Sequence, residues 1–168
     1  MHKNRGMLLE TIINQTISYY ENNNIAFIEK KGLPIKFSKL NAQDNKLYAK
    51  DAFIYKKSTV DYTGCYKGRF LAFEAKSTNE SFLPKNNIRE HQKNYLLKIM
   101  QNGGLAFFII MFTMYDEFYL VMYDKLMKHA GETYTYELIK KIGKNIPLSF
   151  PGIVDFLPEI NNINYSFN

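Results

Sequence analysis

The feature that most constrains the fold is an unbroken run of apolar residues over 105–112, preceded by Gly103 and Gly104. A run of this kind is typical of a buried strand, because a strand with one solvated face alternates apolar and polar side chains. A strand that is covered on both faces needs packing partners above and below it. The run therefore predicts a sheet that lies between other elements.

Helical patterns occur on both sides of this run. Leu9, Ile13, Ile17 and Tyr20 recur at the three- and four-residue intervals of a helix, which predicts an opening helix over 5–22. Further helices are predicted over 87–102, where two glycines follow, and over 124–130, 134–141 and 152–157, with Asp124 as the cap of the second of these four. Strands are predicted over 25–28, 70–76, 105–112 and 118–123. The expected fold class is α/β, a single domain over 1–168 with a central mixed sheet flanked by helices.

The predicted strand over 70–76 carries ionisable side chains on one face. Side chains alternate along a strand, so Glu74 and Lys76 share a face that is opposite to Phe73. Turn-like residues at 62–64 and 67–68 separate Asp61 from this strand, and a hairpin there would bring the Asp61 carboxylate beside Glu74. Two carboxylates and an ammonium group at one point form a site for a hard divalent cation and a phosphate. The pattern predicts a metal-dependent nuclease.

Each of these residues also has a structural interpretation. Asp61, Glu74 and Lys76 could form an ion-pair cluster on the surface, and the three residues alone do not decide between the alternatives. Gln92 falls on the apolar stripe of the predicted helix over 87–102. A buried, unpaired amide costs about 1–3 kcal/mol, so Gln92 either bonds to the backbone or is directed at the metal site.

The positive charge of the chain is concentrated in one stretch. The 168 residues carry a net charge of +6, and residues 28–76 hold eleven basic and five acidic side chains. Such a concentration around a carboxylate site favours a polyanionic substrate, although a solvated lysine-rich face is the alternative. The predicted DNA-binding residues here are Lys30, Lys31, Lys36, Lys39, Lys46, Lys50, Lys56, Lys57, Lys67 and Arg69.

The segment 35–57 has poor core periodicity and is predicted to be a basic arm or hairpin that projects from the body. Aromatic residues are interleaved with its lysines and could stack on exposed bases; they are Phe37, Tyr48, Phe53 and Tyr55. Cys65 is the single cysteine, so no disulfide can form within the chain, which fits a reducing cytosol. No stretch approaches the roughly 20 apolar residues of a membrane helix, so we expect a cytoplasmic protein that does not bind membranes.

An ordered set of short motifs resembles the RecU family of Holliday junction resolvases. The motifs lie at 4–7, 58–62, 66–69, 73–76 and 91–92, and the resemblance covers about residues 4–125. It implies a nuclease fold of the PD-(D/E)XK, restriction-endonuclease-like type. It also implies a homodimer that cuts four-way DNA junctions with Mg²⁺ or Mn²⁺, working alongside a branch-migration helicase and a recombinase.

The resemblance also assigns residues. Family metal positions fall on Thr59, Asp61, Glu74 and Gln92, and the catalytic lysine falls on Lys76. The arm corresponds to the family's stalk, which enters the centre of the junction. Arg5 and Glu10 match the family's start, which places both near the site, with Arg5 as a DNA contact and Glu10 as a residue that supports the metal ligands. Thr63 is predicted to be a second supporting residue. Two alternatives stay open: a catalytically inactive junction-binding protein that modulates recombination, and a duplex endonuclease of the same fold.

Overall fold

The computed structural model describes residues 5–56, 59–161 and 163. The strands are β1 (Phe27–Lys30), β2 (Ile35–Lys36), β3 (Lys39–Gln43), β4 (Lys46–Lys50), β5 (Phe53–Ile54), β6 (Tyr62–Tyr66), β7 (Arg69–Thr78), β8 (Phe82–Leu83), β9 (Leu105–Phe112), β10 (Glu117–Met122), β11 (Tyr134–Thr135), β12 (Lys144–Ile146), β13 (Leu148–Ser149) and β14 (Ile153–Val154). The helices are α1 (Arg5–Asn22), α2 (Glu90–Gln101), α3 (Tyr123–Met127) and α4 (Tyr136–Ile142), with 3-10 turns at Lys85–Asn87 and Leu157–Ile160.

Six strands form the central sheet, in the order β1-β6-β7-β9-β10-β12. The β7–β9 pair is parallel, and the other neighbours in this sheet are antiparallel. A parallel pair needs a long crossover connection, and here that connection contains α2. The sheet is therefore mixed, with helices packed on it, which agrees with the fold class predicted from the sequence.

Alternate residues of β9 belong to two separate hydrophobic clusters. Phe107 and Ile109 join the cluster that contains α1, whereas Phe108 and Ile110 join the cluster that contains α2, α3 and α4. Every residue of β9 is buried. The prediction of a strand covered on both faces is confirmed, and β9 is the element that both halves of the core share.

The basic arm consists of two short antiparallel ribbons. β2 pairs with β5, and beyond them β3 pairs with β4, from Lys39 opposite Lys50 to Gln43 opposite Lys46. Every residue over 35–56 is exposed. The poor core periodicity that predicted an arm thus corresponds to ribbons that bury no side chain.

Residues 62–64 form part of β6, so the turn expected there is wrong. The hairpin turn lies at Lys67 and Gly68, both with positive φ. Gly64 is needed for close strand contact instead, because a Cβ at this position would lie 2.2 Å from the Phe27 carbonyl oxygen. A glycine inside a strand often marks such an approach of two backbones.

Three shorter predictions also differ from the structure. Met122, not Asp124, occupies the cap position of α3, and Tyr134 and Thr135 form β11 ahead of α4. Leu157 begins a 3-10 turn, and residues 152–156 are not helical. There, side chains of α1 supply backbone partners: the Thr16 hydroxyl accepts from the Val154 N–H at 3.0 Å, and the Tyr20 hydroxyl accepts from the Phe156 N–H at 2.9 Å. These contacts hold the tail extended against α1.

Among the described residues, no helix has the length and apolar character needed to cross a membrane.

Candidate active site

The β6–β7 hairpin brings the two carboxylates together. Tyr62 pairs with Phe73, so the preceding Asp61 lies next to Glu74. The Asp61 N–H donates to Glu74 Oε2 at 3.2 Å, and the Ala75 N–H donates to Asp61 Oδ2 at 3.0 Å. Each carboxylate is thus fixed by a backbone donor of the opposite segment, and the hairpin expectation is confirmed.

Glu74 is almost completely enclosed, with 1% of its surface exposed. Its Oε1 accepts from Lys76 Nζ at 2.7 Å and also from Gln92 Nε2. Lys76 lies on the same face of β7, as the alternation of side chains predicts. A buried carboxylate that is fully hydrogen-bonded has one well-defined orientation.

Gln92 connects α2 to this carboxylate. Its amide nitrogen donates to Glu74, while its Oε1 accepts from the Arg89 N–H at 2.9 Å. The sequence left a backbone bond and a site contact as alternatives for Gln92, and the structure has both. The second bond orients the amide so that its NH₂ group faces Glu74.

Burial raises the pKa of the Glu74 carboxyl to about 7, and the neighbouring Asp61 charge adds to the increase. The Lys76 ammonium opposes this change without cancelling it. Two close carboxylates repel each other, the more so when one of them is buried, so a cation between Asp61 and Glu74 would relieve the repulsion. This is the electrostatic character expected of a cation site.

A cleft of about 250 Å³ opens beside the two carboxylates. Asp61, Glu74 and Lys76 line it, together with Glu10 of α1 and Lys30 of β1, which form an ion pair with each other. Ser77 also lines the cleft, although the sequence did not indicate it, because its position in β7 alternates with that of Lys76. The cleft therefore presents three carboxylates and two ammonium groups to one small volume.

Two other predicted metal-site residues, Thr59 and Thr63, are not among the residues that line this cleft. The Thr59 hydroxyl accepts from Lys31 Nζ at 3.1 Å. Thr63 lies in β6 between Ala72 and Glu29 on the neighbouring strands. Arg5 is the first residue of α1, the helix that also carries Glu10. The metal-binding and supporting roles of these residues stay predictions.

The predicted DNA-binding residues of the arm differ in their contacts from those of the β6–β7 hairpin. The arm lysines are exposed; they are Lys36, Lys39, Lys46, Lys50 and Lys56. Lys57 lies outside the described residues. Lys67 donates to Asn161 Oδ1 at 3.0 Å, and Arg69 Nη2 donates to the Gly103 carbonyl at 3.1 Å. These two bonds join the β6–β7 hairpin to neighbouring segments. Lys67 and Arg69 therefore have a structural role that their positive charge alone did not indicate.

The residues present fit a hard divalent cation. In the described part of the chain, His, Cys, Asp and Glu side chains form no metal-type cluster of three or more. The acidic pair, Asp61 and Glu74, offers carboxylate oxygens. Mg²⁺ suits such a set, because it is typically bound by one or two carboxylates and keeps several waters.

A central mixed sheet with an acidic pair and a lysine on one hairpin defines the restriction-endonuclease-like class of nuclease folds. The chain belongs to the RecU family: the family model described as Recombination protein U matches residues 4–162. The resemblance found in the sequence is thereby confirmed.

Individual relatives agree with this assignment. The protein named Holliday junction resolvase RecU of Mycoplasmopsis pulmonis is 44% identical over 161 residues, covering 96% of each chain. The protein of the same name from Bacillus cereus (strain G9842) is 32% identical over 174 residues, covering 98% of this chain and 87% of its own. The solved structure of Archaeoglobus fulgidus Hjc, described as a Holliday junction resolvase, has a TM-score of 0.50 at 10% identity and covers 82% of this chain and 91% of that one. Hjc thus supports the fold alone.

Proposed function

We propose that this chain is a structure-selective endonuclease that resolves four-way DNA junctions during recombination and repair by metal-dependent hydrolysis of phosphodiester bonds. The observation that carries the proposal is the acidic pair. The Asp61 N–H donates to the Glu74 carboxylate, the Ala75 N–H donates to the Asp61 carboxylate, and the Lys76 ammonium lies 2.7 Å from Glu74. The relatives named Holliday junction resolvase support the choice of substrate. The presence of both carboxylates and the lysine favours an active enzyme over an inactive junction-binding protein.

Asp61 and Glu74 would hold Mg²⁺, and the same oxygen ligands would also suit Mn²⁺. When bound, the ion lowers the pKa of a water and neutralises charge on the scissile phosphate. Lys76 supplies a fixed positive charge where negative charge develops on the phosphate. Gln92 holds the Glu74 carboxylate in one orientation through its own bond to the backbone of Arg89. Thr59 and Glu10 would complete the surroundings of the ion.

The exposed arm would make the protein selective for junctions. Its lysines offer contacts to phosphates that do not depend on sequence, so binding should weaken steeply with salt. We propose a homodimer, because two copies related by a twofold axis match a junction whose paired cuts are related by symmetry. A branch-migration helicase and a recombinase would be its partners, in the cytoplasm.

Conservative substitutions at the acidic pair test the activity. Asp61→Asn and Glu74→Gln should each lower junction cleavage at least about a hundredfold with Mg²⁺ or Mn²⁺, because the ion loses a charged ligand. Junction binding measured in EDTA should be retained. Asp116→Asn is the matched control, since Asp116 is exposed in the β9–β10 turn. A wild-type protein that never nicks a junction with either ion would contradict the proposal, and equal cleavage of duplex arms would indicate an unselective endonuclease.

A further inference from the structure

A second basic surface lies outside the arm and the cleft. A groove of about 660 Å³ is formed by the 3-10 turn at Lys85–Asn87, the first two turns of α2 and the segment at Gly131. We call it the α2 groove. Its lining includes three cationic side chains, Lys85, Arg89 and Lys93, against a single acidic one, Glu90.

Two of these cationic side chains, Lys93 and Lys85, have polar partners that leave them able to bind a phosphate. Lys93 Nζ lies 3.4 Å from Glu90 Oε2, and the Glu90 side chain is 74% exposed. An ion pair this exposed contributes little, so a phosphate could replace the Glu90 carboxylate. Lys85 donates to the Gly131 carbonyl at the border of the groove. Asn86 and Asn94 also line the groove and add neutral donors between the charges.

The fold gains little from this arrangement of charge. Arg89 is the residue that precedes α2, and its side chain makes no capping bond. Cations in the first turn of a helix oppose the helix dipole, and like charges four residues apart, such as Arg89 and Lys93, repel each other. Where a sequence breaks such local rules without a gain in packing, a function is the usual reason.

The groove adjoins the candidate active site through one side chain. The Arg89 N–H donates to Gln92 Oε1, and Gln92 Nε2 donates to Glu74. Lys93 is the next residue after Gln92. Arg89 and Lys93 therefore lie at the start of the same helix that supports the acidic pair.

We propose that the α2 groove binds the sugar–phosphate backbone of one duplex arm of the junction, outside the segment that is cut; this rests on the proposed function. A lining of cations and amides suits phosphate oxygens, which take half or more of the hydrogen bonds in protein–DNA contacts. The apolar lining residues Ile88 and Tyr134 are buried, so the groove lacks the exposed apolar centre of a protein–protein interface.

The test is the double variant Arg89→Gln, Lys93→Gln, with binding to a synthetic four-way junction measured in EDTA over a range of salt concentrations. Loss of two phosphate contacts should reduce the slope of log K against log salt by about 2 and weaken binding by about tenfold to a hundredfold near physiological salt. The matched control is Lys140→Gln, Lys141→Gln, which removes the same charge from the exposed side of α4. The control should change binding by about twofold or less and leave the slope within about 1.

Stability separates a binding role from a structural one. The groove variant removes repulsion at the start of α2, so its melting temperature should equal or exceed that of the wild type. A lower melting temperature together with weaker binding would overturn the proposal. Junction binding and a salt slope equal to those of the control variant would also overturn it, and would favour an acidic protein as the partner of the groove. Failure of the wild type to cut the junction would count against the proposed function alone, because the binding experiment in EDTA needs no cleavage.

Discussion

Lys31 differs from the other basic residues of its segment because its contacts point inward. Its N–H donates to the Asp61 carbonyl at 2.7 Å, and its Nζ donates to the Thr59 hydroxyl at 3.1 Å. The same ammonium lies 5.2 Å from the centre of the Tyr95 ring on α2. Lys31 therefore connects the segment before β6 to α2, and so positions Asp61.

Lys31→Met should separate cleavage from binding. Loss of the Thr59 and Tyr95 contacts leaves the segment around Asp61 less fixed, so we expect junction cleavage to fall by about tenfold or more, because small displacements of catalytic groups are costly. Junction affinity in EDTA should change by about twofold or less, since removing one phosphate contact near physiological salt would cost more. Single-turnover cleavage and a binding titration measure the two effects.

Lys46→Met is the matched control for this prediction. Lys46 is exposed at the tip of the arm and loses the same charge. It should weaken junction binding while leaving the rate of cleavage in the bound complex unchanged. If both variants showed the same pattern, Lys31 would be one more phosphate contact and the positioning role would be wrong.

The alternation of side chains was enough to predict which residues of β7 share a face. Glu74 and Lys76 follow from the period of a strand, and Asp61 follows from a hairpin whose turn lies between them. The partner of Gln92 was not predictable, because it depends on where α2 packs relative to β7. The same is true of the side-chain contacts of Lys31 with Thr59 and Tyr95, which depend on how the segment before β6 and α2 lie beside β1.

Among the secondary-structure elements, β1 and β6 pack so closely that only glycine fits at position 64. A Cβ there would lie 2.2 Å from the Phe27 carbonyl oxygen and 2.7 Å from the Ile28 Cα, both backbone atoms that cannot move aside alone. The sequence presents Gly64 as a turn residue, whereas the cause of the glycine is a neighbour almost 40 residues away in the chain. Local propensity cannot detect a contact of that kind.

Gly64→Ala should destabilise the protein by about 1–3 kcal/mol, because the added methyl group forces the two strands apart. Urea unfolding monitored by circular dichroism measures the change. Gly32→Ala is the control, since a Cβ at Gly32 meets nothing within 4 Å, and it should stay within about 0.5 kcal/mol of the wild type. Equal stability of the two variants would mean that β1 is not held against β6 as closely as described.

Glu117 links β10 to α4. Its carboxylate accepts from the Tyr119 hydroxyl and from the Tyr136 hydroxyl, the latter at 2.7 Å. These two bonds lower the pKa of Glu117 from its ordinary value of 4.5. A carboxyl whose pKa is lower in the folded state stabilises the fold above its ordinary pKa, and that contribution is lost as the pH falls through the lowered value.

Glu117→Gln should therefore flatten the acid side of the stability profile. Between about pH 6 and pH 3 the wild type should lose more free energy of unfolding than the variant, because the variant has no carboxylate to protonate there. Urea unfolding at a series of pH values measures the difference, with Glu137→Gln on the exposed side of α4 as the control. Parallel profiles for wild type and Glu117→Gln would contradict the prediction.

At the scale of the whole molecule, the arm is the part whose removal should change substrate choice without changing stability. Lys39 and Lys50 are directly paired, so residues 40–49 can be replaced by an Asn-Gly turn that closes the shortened ribbon. We expect the preference for a junction over its duplex arms to be lost while duplex nicking persists. Because the removed residues are exposed, the melting temperature should stay within a few degrees.

Competition between a junction and its component duplexes measures this preference, and thermal unfolding measures the stability. The matched control exchanges residues 40–49 for a ribbon of equal length in which the one lysine of that segment, Lys46, is glutamine. A shortened arm that still selects junctions would assign selectivity to the body of the protein. A large drop in melting temperature would show instead that the arm packs on the sheet.

The ribbons of the arm place no side chain in either hydrophobic cluster. The packing of the core therefore does not restrict which residue types can occupy the arm. By contrast, few substitutions in β9 are compatible with folding, because each change there disturbs packing on both faces of the sheet. Random mutagenesis with separate selection for folding and for activity should therefore find the arm tolerant in the first screen and sensitive in the second. New substrate preferences can arise in such a segment without any loss elsewhere, which makes it the natural place for this protein to diverge.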